Sequence, residues 1–488
     1  TFHGKGGGTT SFDGMRITDM DCASCTGPLA SPATIDQWTV ETGGGLAESD
    51  ASGVRVNYIP KSGGNTISAM MSGTISGRGL QSNNLSEALR ARGLTSVNGL
   101  KYLRSVDGTF GGPIKQDKLW YFVAGRYTTS QNQLAGVYFN KTQGTLFYTP
   151  DLSRPGYRDD ELAAGTLRLT WQATQKDKFN FHVEPQRNYV HRGEANFAPE
   201  AMYWFNFSPL GIYQATWNSV RTNKLLFEAS VGAAITHWPG PPNPGVEPSH
   251  IAVQELTTGF NYNSNTNFGG PKDSDRYTQR ASVSYVTGSH SFKGGMVLME
   301  GIHNLGTNVN GNIQYLMLNQ QPNQVVLWAT PYVRKQRMRA DLALFAQDRW
   351  TIKRLTLNYG LRFEYFNSYV PAQSLAASTF VPAREFAEVR DVPNWTDINP
   401  RLGASYDLFG NGRTALRMSL GRYVFPETTV LAAQANPIIS TFNTVNRQWN
   451  DANRNLTPDC VLTDPAANGE CGPFQNLNFA RSNPNATR

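Results

Sequence analysis

Four cysteines are the most reactive side chains in this sequence, and they form two local pairs. Cys22 and Cys25 stand three positions apart in CASC, whereas Cys460 and Cys471 bracket a segment rich in Pro, Asn and Asp. A short loop closed by two cysteines is typical of a disulfide formed in an oxidising compartment. A four-cysteine zinc site is the alternative, but the second pair lacks the C-x-x-C spacing of such sites. The spacing therefore favours two disulfides.

The other candidates for chemistry are seven histidines and a short acidic run. The histidines are dispersed, without a Ser–His–Asp arrangement or carboxylates at metal-ligand spacing. We interpret the run Asp159–Asp160–Glu161 as a solvated loop end, with a metal or metal-chelate role as the alternative. The sequence therefore predicts neither an enzyme nor a bound metal or other cofactor.

Aromatic residues in the long irregular segments are the candidates for ligand contact. A ring exposed on a loop can stack on a sugar ring or a flat chelate. The alternative is that these rings pack loop against loop. The candidates are Tyr203, Trp204, Phe205, Phe207, Trp238, Trp328 and Trp449.

The composition is that of a β protein with little charge. Charged residues make up 17% of the 488 residues, below the roughly 25% usual for soluble domains, and glycine (46 residues) is plentiful. Mean hydropathy is −0.43, and no stretch approaches the roughly 18 apolar residues of a spanning helix. The net charge of +7 comes from scattered Lys and Arg, which argues against binding to nucleic acid.

Alternation with a period of two recurs from about residue 100 onward. In LTLNYGLRFEY, Leu361 and Phe363 alternate with Arg362 and Glu364, which places the two sets on opposite faces of a strand. Polar residues of this kind would face the interior of the molecule. They include Gln172, Asn180, His182, Asn358, Arg362 and Glu364.

The connections between these runs alternate between short and long. Short polar turns are expected at 115–118, 174–177, 220–223, 287–290, 351–354 and 409–412. Long connections are expected at 130–160, 191–208, 237–275, 304–335, 369–397 and 425–488, and residues 311–334 could form an extra hairpin outside the membrane. Long strands with this asymmetry predict an antiparallel transmembrane β-barrel of which about thirteen strands are present. A soluble sandwich would have shorter strands, and a propeller would show a sequence repeat.

Aromatic residues near the short turns are expected to form an interfacial girdle. They are Trp120, Tyr121, Phe122, Trp171, Trp217 and Trp350. Residues 1–62 differ from the rest, because short apolar runs separated by Gly clusters predict a compact α+β element instead of barrel strands.

Several segments resemble one known family. FDGMRI (12–17) and VRVNYIPKSGGNTISAMMSG (54–73) resemble the second half of the plug of TonB-dependent outer-membrane receptors. Three later segments are similar to barrel hairpins of the subgroup with a carboxypeptidase-regulatory-like N-terminal domain. These segments are 107–127, 342–366 and 398–424.

The resemblance implies a domain division and several site residues. Residues 1–62 would be the C-terminal part of the plug, and residues 63–488 the first part of a barrel of about 22 strands, so that the chain ends in an extracellular loop. The plug motif would be Phe12, Asp13 and Gly14, and the plug–barrel junction Lys61, Gly63, Gly64 and Asn65.

The implied function is uptake of a nutrient through the bacterial outer membrane. The nutrient could be a siderophore chelate, a vitamin, an oligosaccharide or a peptide. The implied partners are outer-membrane lipid and the TonB complex of the inner membrane, which would bind a segment missing from this sequence. A passive porin, and a surface adhesin or secretion component on the same scaffold, are the alternatives.

Overall fold

The computed structural model describes residues 8–22, 25–42, 46–50, 53–82, 84–94, 96–202, 204–266, 268–425 and 427–483. Within them lie 24 strands, four single-turn 3-10 helices and two short α-helices, α1 (Glu87–Ala91) and α2 (Val430–Gln434). The strands are β1 (Thr9–Phe12), β2 (Met15–Arg16), β3 (Ile35–Glu41), β4 (Arg55–Pro60), β5 (Ser68–Gly77), β6 (Gly99–Lys115), β7 (Leu119–Asn140), β8 (Pro150–Gln172), β9 (Asp177–His191), β10 (Trp204–Thr222), β11 (Leu225–His237), β12 (Ala252–Glu255), β13 (Phe260–Tyr262), β14 (Lys272–Thr287), β15 (His290–Thr307), β16 (Ile313–Leu318), β17 (Gln321–Trp328), β18 (Tyr332–Ile352), β19 (Leu355–Tyr369), β20 (Gln373–Leu375), β21 (Arg384–Phe386), β22 (Asn394–Asp407), β23 (Ala415–Gly421) and β24 (Thr444–Gln448).

Thirteen strands form one antiparallel sheet, here called the wall. In chain order its members are β5 to β11, β14, β15, β18, β19, β22 and β23, each paired with the next. All six predicted short turns connect neighbouring wall strands, and the predicted number of strands is confirmed. The prediction of a long loop at 130–160 is wrong. Strands β7 and β8 continue toward each other, and only residues 141–149 connect them, because polar strand ends can still pair beyond the membrane.

The wall has polar residues on its inner face and apolar residues on its outer face. On β19, Leu361 is 51% exposed, whereas Arg362 is 1% exposed. This is the reverse of a soluble sheet, and it suits a strand with lipid on one side and protein on the other. Trp120 and Phe122 are exceptions to the predicted girdle, since both lie on the inner face of β7. Among the described residues, no helix is long and apolar enough to cross a membrane.

A four-stranded sheet, here called the plug, lies between Thr9 and Pro60. Its strand order is β2–β1–β4–β3. Strands β1 and β4 run parallel, and the other two pairings are antiparallel. Phe12, Met15, Ile17 and Ile35 form its apolar core together with Ile212 and Ala234 of the wall. The plug therefore buries its apolar face against the inner face of the wall. The division at residues 62 and 63 stays a prediction, with the two sheets on either side of it.

Segments of several long loops form a second small sheet, here called the cap, in the order β13–β12–β16–β17–β24. The hairpin expected within 311–334 is present as β16 and β17, but β12 and β24 come from other loops. Val325, Leu327 and Val445 belong to its core.

Both predicted disulfides are present. Cys460–Cys471 lies beside the cap, and Cys22–Cys25 lies in the plug, so the zinc alternative does not apply.

Candidate functional site: the plug tip and the inner wall

Cationic side chains of the wall hold the plug in place. Arg168 donates from Nη2 to Oδ2 of Asp13 at 2.9 Å, and Arg280 pairs with the carboxylate of Glu48. Lys293 Nζ lies 3.0 Å from the same Glu48 carboxylate. Such charge-assisted bonds are stronger than neutral ones. The sequence reasoning did not single out these three cations, although a basic residue at an inward position of a wall strand is a readable signal.

Wall side chains also bind backbone atoms of the plug. Arg362 donates from Nη1 to the carbonyl oxygen of Glu48 at 3.2 Å, and Gln347 Oε1 accepts from the backbone N–H of Glu48 at 3.0 Å. His182 packs its ring 4.6 Å from the ring of Phe12. Two of the polar residues expected to face inward, His182 and Arg362, therefore contact the plug directly.

The motif Phe12–Asp13–Gly14 forms the turn between β1 and β2. Asp13 and Gly14 both have positive φ, at 47° and 79°. That conformation tolerates Asp and favours Gly. The turn presents the Asp13 carboxylate to Arg168, and a Cβ at Gly14 would lie 2.7 Å from Nη1 of Arg280. The predicted motif residues thus sit at the contact between plug and wall.

The junction residues tie the end of the plug to the first turn of the wall. Asn65 accepts at Oδ1 from the backbone N–H of Asp117 at 2.9 Å and from Nε1 of Trp120 at 2.7 Å. A Cβ at Gly63 would lie 2.2 Å from the carbonyl oxygen of Tyr121, whereas one at Gly64 would meet no atom within 4 Å. The backbone N–H of Lys61 donates to Thr34 at 2.8 Å.

One plug segment is here called the plug tip (residues 18–27, of which the structure describes 18–22 and 25–27). The disulfide Cys22–Cys25 closes it, and Thr18 pairs with Thr26 across it. A Cβ at Gly27 would lie 2.1 Å from Thr236 Oγ1, so this close approach requires glycine. The plug tip is therefore a small closed loop pressed against β11.

Buried wall residues fix the plug tip from the side. Arg276, which is 1% exposed, donates from Nε to the carbonyl oxygen of Thr18 at 3.0 Å. The backbone N–H of Met20 donates to Oγ of Ser274 at 2.6 Å. The Met20 side chain packs with Met299, Met338 and Phe366.

A loop segment that follows the last wall strand also holds the plug tip. This segment, here called the strap (residues 427–443), contains α2 and leads directly into β24 of the cap. Its Thr429 donates to the carbonyl oxygen of Met20 from both the backbone N–H (2.9 Å) and Oγ1 (2.7 Å). Oγ1 of Thr429 also lies 3.1 Å from Nδ1 of His303 on β15. The strap thus connects plug tip, wall and cap.

Three of the predicted ligand-contact rings line the inner wall near the plug tip. Ring centroids lie 5.9 Å apart for Phe205 and Phe207, and 6.5 Å apart for Phe207 and Trp238. Trp238 in turn stacks near His303 at 6.3 Å, and Lys272 lies 5.8 Å from the Phe205 ring. These rings form a half-buried row, here called the aromatic track, that leads to the strap and plug tip.

The other predicted rings lie elsewhere. Trp204 alternates with Phe205 and faces away from the plug. Trp328 is half-buried on β17, and Trp449 is 1% exposed in the core of the cap beside Tyr315. A ring so completely buried has no surface to offer a ligand, so Trp449 takes the packing role that was the alternative for this set. Tyr203 lies outside the described residues.

Two carboxyl groups of the plug are in contrasting electrostatic environments. Burial, followed by repulsion from Asp21, raises the pKa of Asp19 to about 7, although Arg276 opposes this shift. Burial also disfavours the charged form of Asp50, but Arg16, Arg55 and Arg362 outweigh it and hold the pKa of Asp50 below its usual range. The plug tip therefore contains a carboxyl group that titrates near neutral pH, whereas the Asp50 carboxylate remains ionised.

The family can now be assigned. A family model described as "Outer membrane beta barrel domain" matches residues 140–488, which is most of the chain. The chain belongs to this outer membrane β-barrel domain family. The wall is accordingly a transmembrane β-barrel sheet, and the protein is located in the bacterial outer membrane.

Solved structures of outer-membrane transporters share the fold of this family member. It is similar to the outer membrane transporter YddB of Escherichia coli with a TM-score of 0.61 and 12% identity, over 91% of this chain and 58% of that chain. For the copper transporter OprC the TM-score is 0.54 with 13% identity, over 90% and 60% of the two chains. For the alcaligin receptor FauA of Bordetella pertussis the TM-score is 0.52 with 12% identity, over 91% and 58%.

The chain spans less than two thirds of the length of these three proteins. At such identities the likeness concerns the fold. The search of curated protein sequences found no significant match to this chain.

Proposed function

We propose that this chain is part of a TonB-dependent outer-membrane receptor that takes up a nutrient. The observation that carries the proposal is a folded plug held inside a barrel wall by side chains of at least six wall strands. A passive pore has no need of a folded domain across its lumen, whereas an energised importer requires a plug that can be displaced. The TonB complex of the inner membrane would supply the energy. Segments 107–127, 342–366 and 398–424 support membership of the subgroup with a carboxypeptidase-regulatory-like domain.

The aromatic track and the plug tip would form the ligand site. Phe205, Phe207 and Trp238 offer half-buried rings, and the plug tip offers Asp19 and Asp21. A ligand seated there would touch wall, plug and strap at once, so its binding could alter the plug. Flat or ring-shaped nutrients suit this surface, and siderophore chelates, vitamins, oligosaccharides and peptides all include such molecules.

Planar-bilayer recording of the full-length protein tests the plugged state. We expect little conductance in buffer and a reversible rise in conductance when urea loosens the plug, because the wall is more extensively hydrogen-bonded than the plug. A steady open-channel conductance without urea would favour the porin alternative.

Binding of the purified periplasmic domain of TonB to the full-length protein tests the energised mechanism. We expect binding that strengthens when the nutrient is present. A protein that keeps its plug closed but never binds TonB would support the adhesin or secretion alternative.

A further inference from the structure

We infer that the barrel wall carries a second binding site, for a neutral sugar, on the face turned away from the plug. A cavity of about 480 Å³ lies at the extracellular ends of β6 to β10. This volume is within the range of roughly 300–1,000 Å³ that is typical of small-molecule sites. The site is separate from the aromatic track and does not depend on the transport proposal.

The register of the strands brings the lining residues together. Gln131 pairs with both Tyr102 and Asp159, and His191 pairs with both Asp159 and Trp204. These residues form one row across five strands. In the neighbouring row, Thr129, Glu161 and Tyr189 are paired in the same way. Both rows alternate with the plug-facing residues, so their side chains lie on the opposite face of the wall.

Aromatic rings supply the apolar part of the lining. The ring centroids of Tyr157 and His191 lie 5.1 Å apart with the rings tilted, and those of Tyr189 and Trp204 lie 6.5 Å apart. Tyr102 and Phe139 complete the set. A pyranose ring has one face of C–H groups that packs on such rings, and its hydroxyl groups need polar partners at the edge.

Polar groups stand at the edge of these rings. Asp159, Glu161, Thr129 and Asn243 line the cavity, and all of them can bond to hydroxyl groups. The side chain of His191 is 9% exposed, and the Asp159 carboxylate lies 3.8 Å from its Nδ1. The His191 ring therefore belongs to the rigid lining of the cavity, beside the carboxylate that faces its interior.

Charge balance favours a neutral ligand over an ionic one. The Glu161 carboxylate lies 3.3 Å from Arg187, and Asp159 faces His191. Arg154 lies over the Phe139 ring at 4.3 Å. Asp160, which also lines the cavity, pairs with Arg158 at 3.5 Å. The carboxylates of Asp159, Asp160 and Glu161 are therefore balanced by three guanidinium groups, so neither an anion nor a cation gains much net attraction. Hydroxyl groups, in contrast, can accept from the bases and donate to the carboxylates.

The sugar could belong to a soluble oligosaccharide or to lipopolysaccharide of the surrounding outer leaflet. Two assays on the full-length protein in phosphatidylethanolamine nanodiscs separate these sources. Saturation-transfer NMR would measure binding of maltohexaose, cellohexaose and mannohexaose. Mass spectrometry would count lipopolysaccharide molecules retained when lipopolysaccharide is included in the nanodisc.

Three variants test the assignment. We expect Trp204→Ala and Asp159→Asn to weaken the binding seen in at least one assay about tenfold, which equals roughly 1.4 kcal/mol. Trp171→Ala is the matched control, because Trp171 lies on the same face of β8 as Asp159 but at the opposite end of the strand. Heat-modifiable migration on a gel confirms that each variant is folded.

The outcomes are distinct. Binding of a hexasaccharide that Trp204→Ala abolishes supports a soluble ligand, and retention of lipopolysaccharide that the same variant abolishes supports a membrane glycolipid. Absence of binding in both assays overturns the proposal, as does equal loss in the Trp171→Ala control. None of these outcomes affects the measurements of TonB binding and conductance, which test the transport proposal separately.

Discussion

Thr429 donates two hydrogen bonds to a single carbonyl oxygen of the plug, that of Met20, across 409 positions of sequence. One end of the strap therefore rests on the plug tip, and the other end continues into β24 of the cap. In the receptor proposed above, a ligand that displaces the strap would have to break these bonds. Its effect would then pass directly from the strap to the plug, without a chain of intermediate residues.

Removing the side-chain bond of Thr429 should loosen the strap and the plug tip together. Thr429→Val keeps the branched shape but loses the Oγ1 donor, at a cost of about 1 kcal/mol. Hydrogen exchange should then be faster in residues 427–443 and 18–27. The control is Thr457→Val, which alters an exposed threonine near the cap. Unchanged exchange in the plug tip of Thr429→Val would show that the contact does not couple the two segments.

Breaking the pair of Arg168 and Asp13 should weaken attachment of the plug. The side chain of Arg168 is 7% exposed, so Arg168→Gln should lower the stability of the docked plug by about 2 kcal/mol. Urea titration of plug release in a double-mutant cycle with Asp13→Asn measures the coupling. Arg221→Gln removes the pair with Asp177, in which Arg221 is 44% exposed, and should change stability by less than about 1 kcal/mol. Additive effects of the Arg168 and Asp13 variants would contradict the pairing.

Two adjacent glycines should respond in opposite ways to the same substitution. Gly63→Ala places a methyl group against the backbone of Tyr121, which cannot move aside without disturbing the wall, and should cost about 1–3 kcal/mol. Gly64→Ala places it in open space and should be neutral. The measured quantities are the heat-modifiable fraction and the protease resistance of the plug. Equal behaviour of the two variants would be incompatible with this junction.

Stability of the plug should depend on pH through Asp19. Its pKa is about 7 in the folded protein, against 3.8 for an ordinary aspartate side chain. The folded state therefore keeps a proton that the unfolded state loses first, so plug stability should fall from about pH 4 to about pH 7 and level off above. Asp19→Asn should flatten this part of the profile in urea titrations, and Asp36→Asn, at an exposed plug position, should leave it unchanged. A wild-type profile without a decline below pH 7 would refute the assignment.

The wall strands, their tight turns and the two faces of each strand could be predicted from the sequence. These follow from a period of two, which is local, and from turn residues next to the strands they join. The inward polar positions of Arg362 and His182 could be read in this way, as could the pairing of cysteines within each short segment. The residue at which β7 ends could not be predicted from the sequence. A strand continues for as long as a neighbouring strand pairs with it, even where its residues are polar.

The contacts between loop residues, in contrast, could not be predicted from the sequence and are visible only in the folded protein. Phe207 and Trp238 lie close together because the strand ends that carry them both direct these rings to the inner face of the wall. Trp204 is next to Phe205 in sequence but lies on the outer face. Trp449 became a core residue because β24 joined a sheet built from several loops. The contact of Thr429 with Met20 had no local signal at all. Contacts of this kind depend on the curvature of the wall and the position of the plug inside it, which no short window of sequence encodes.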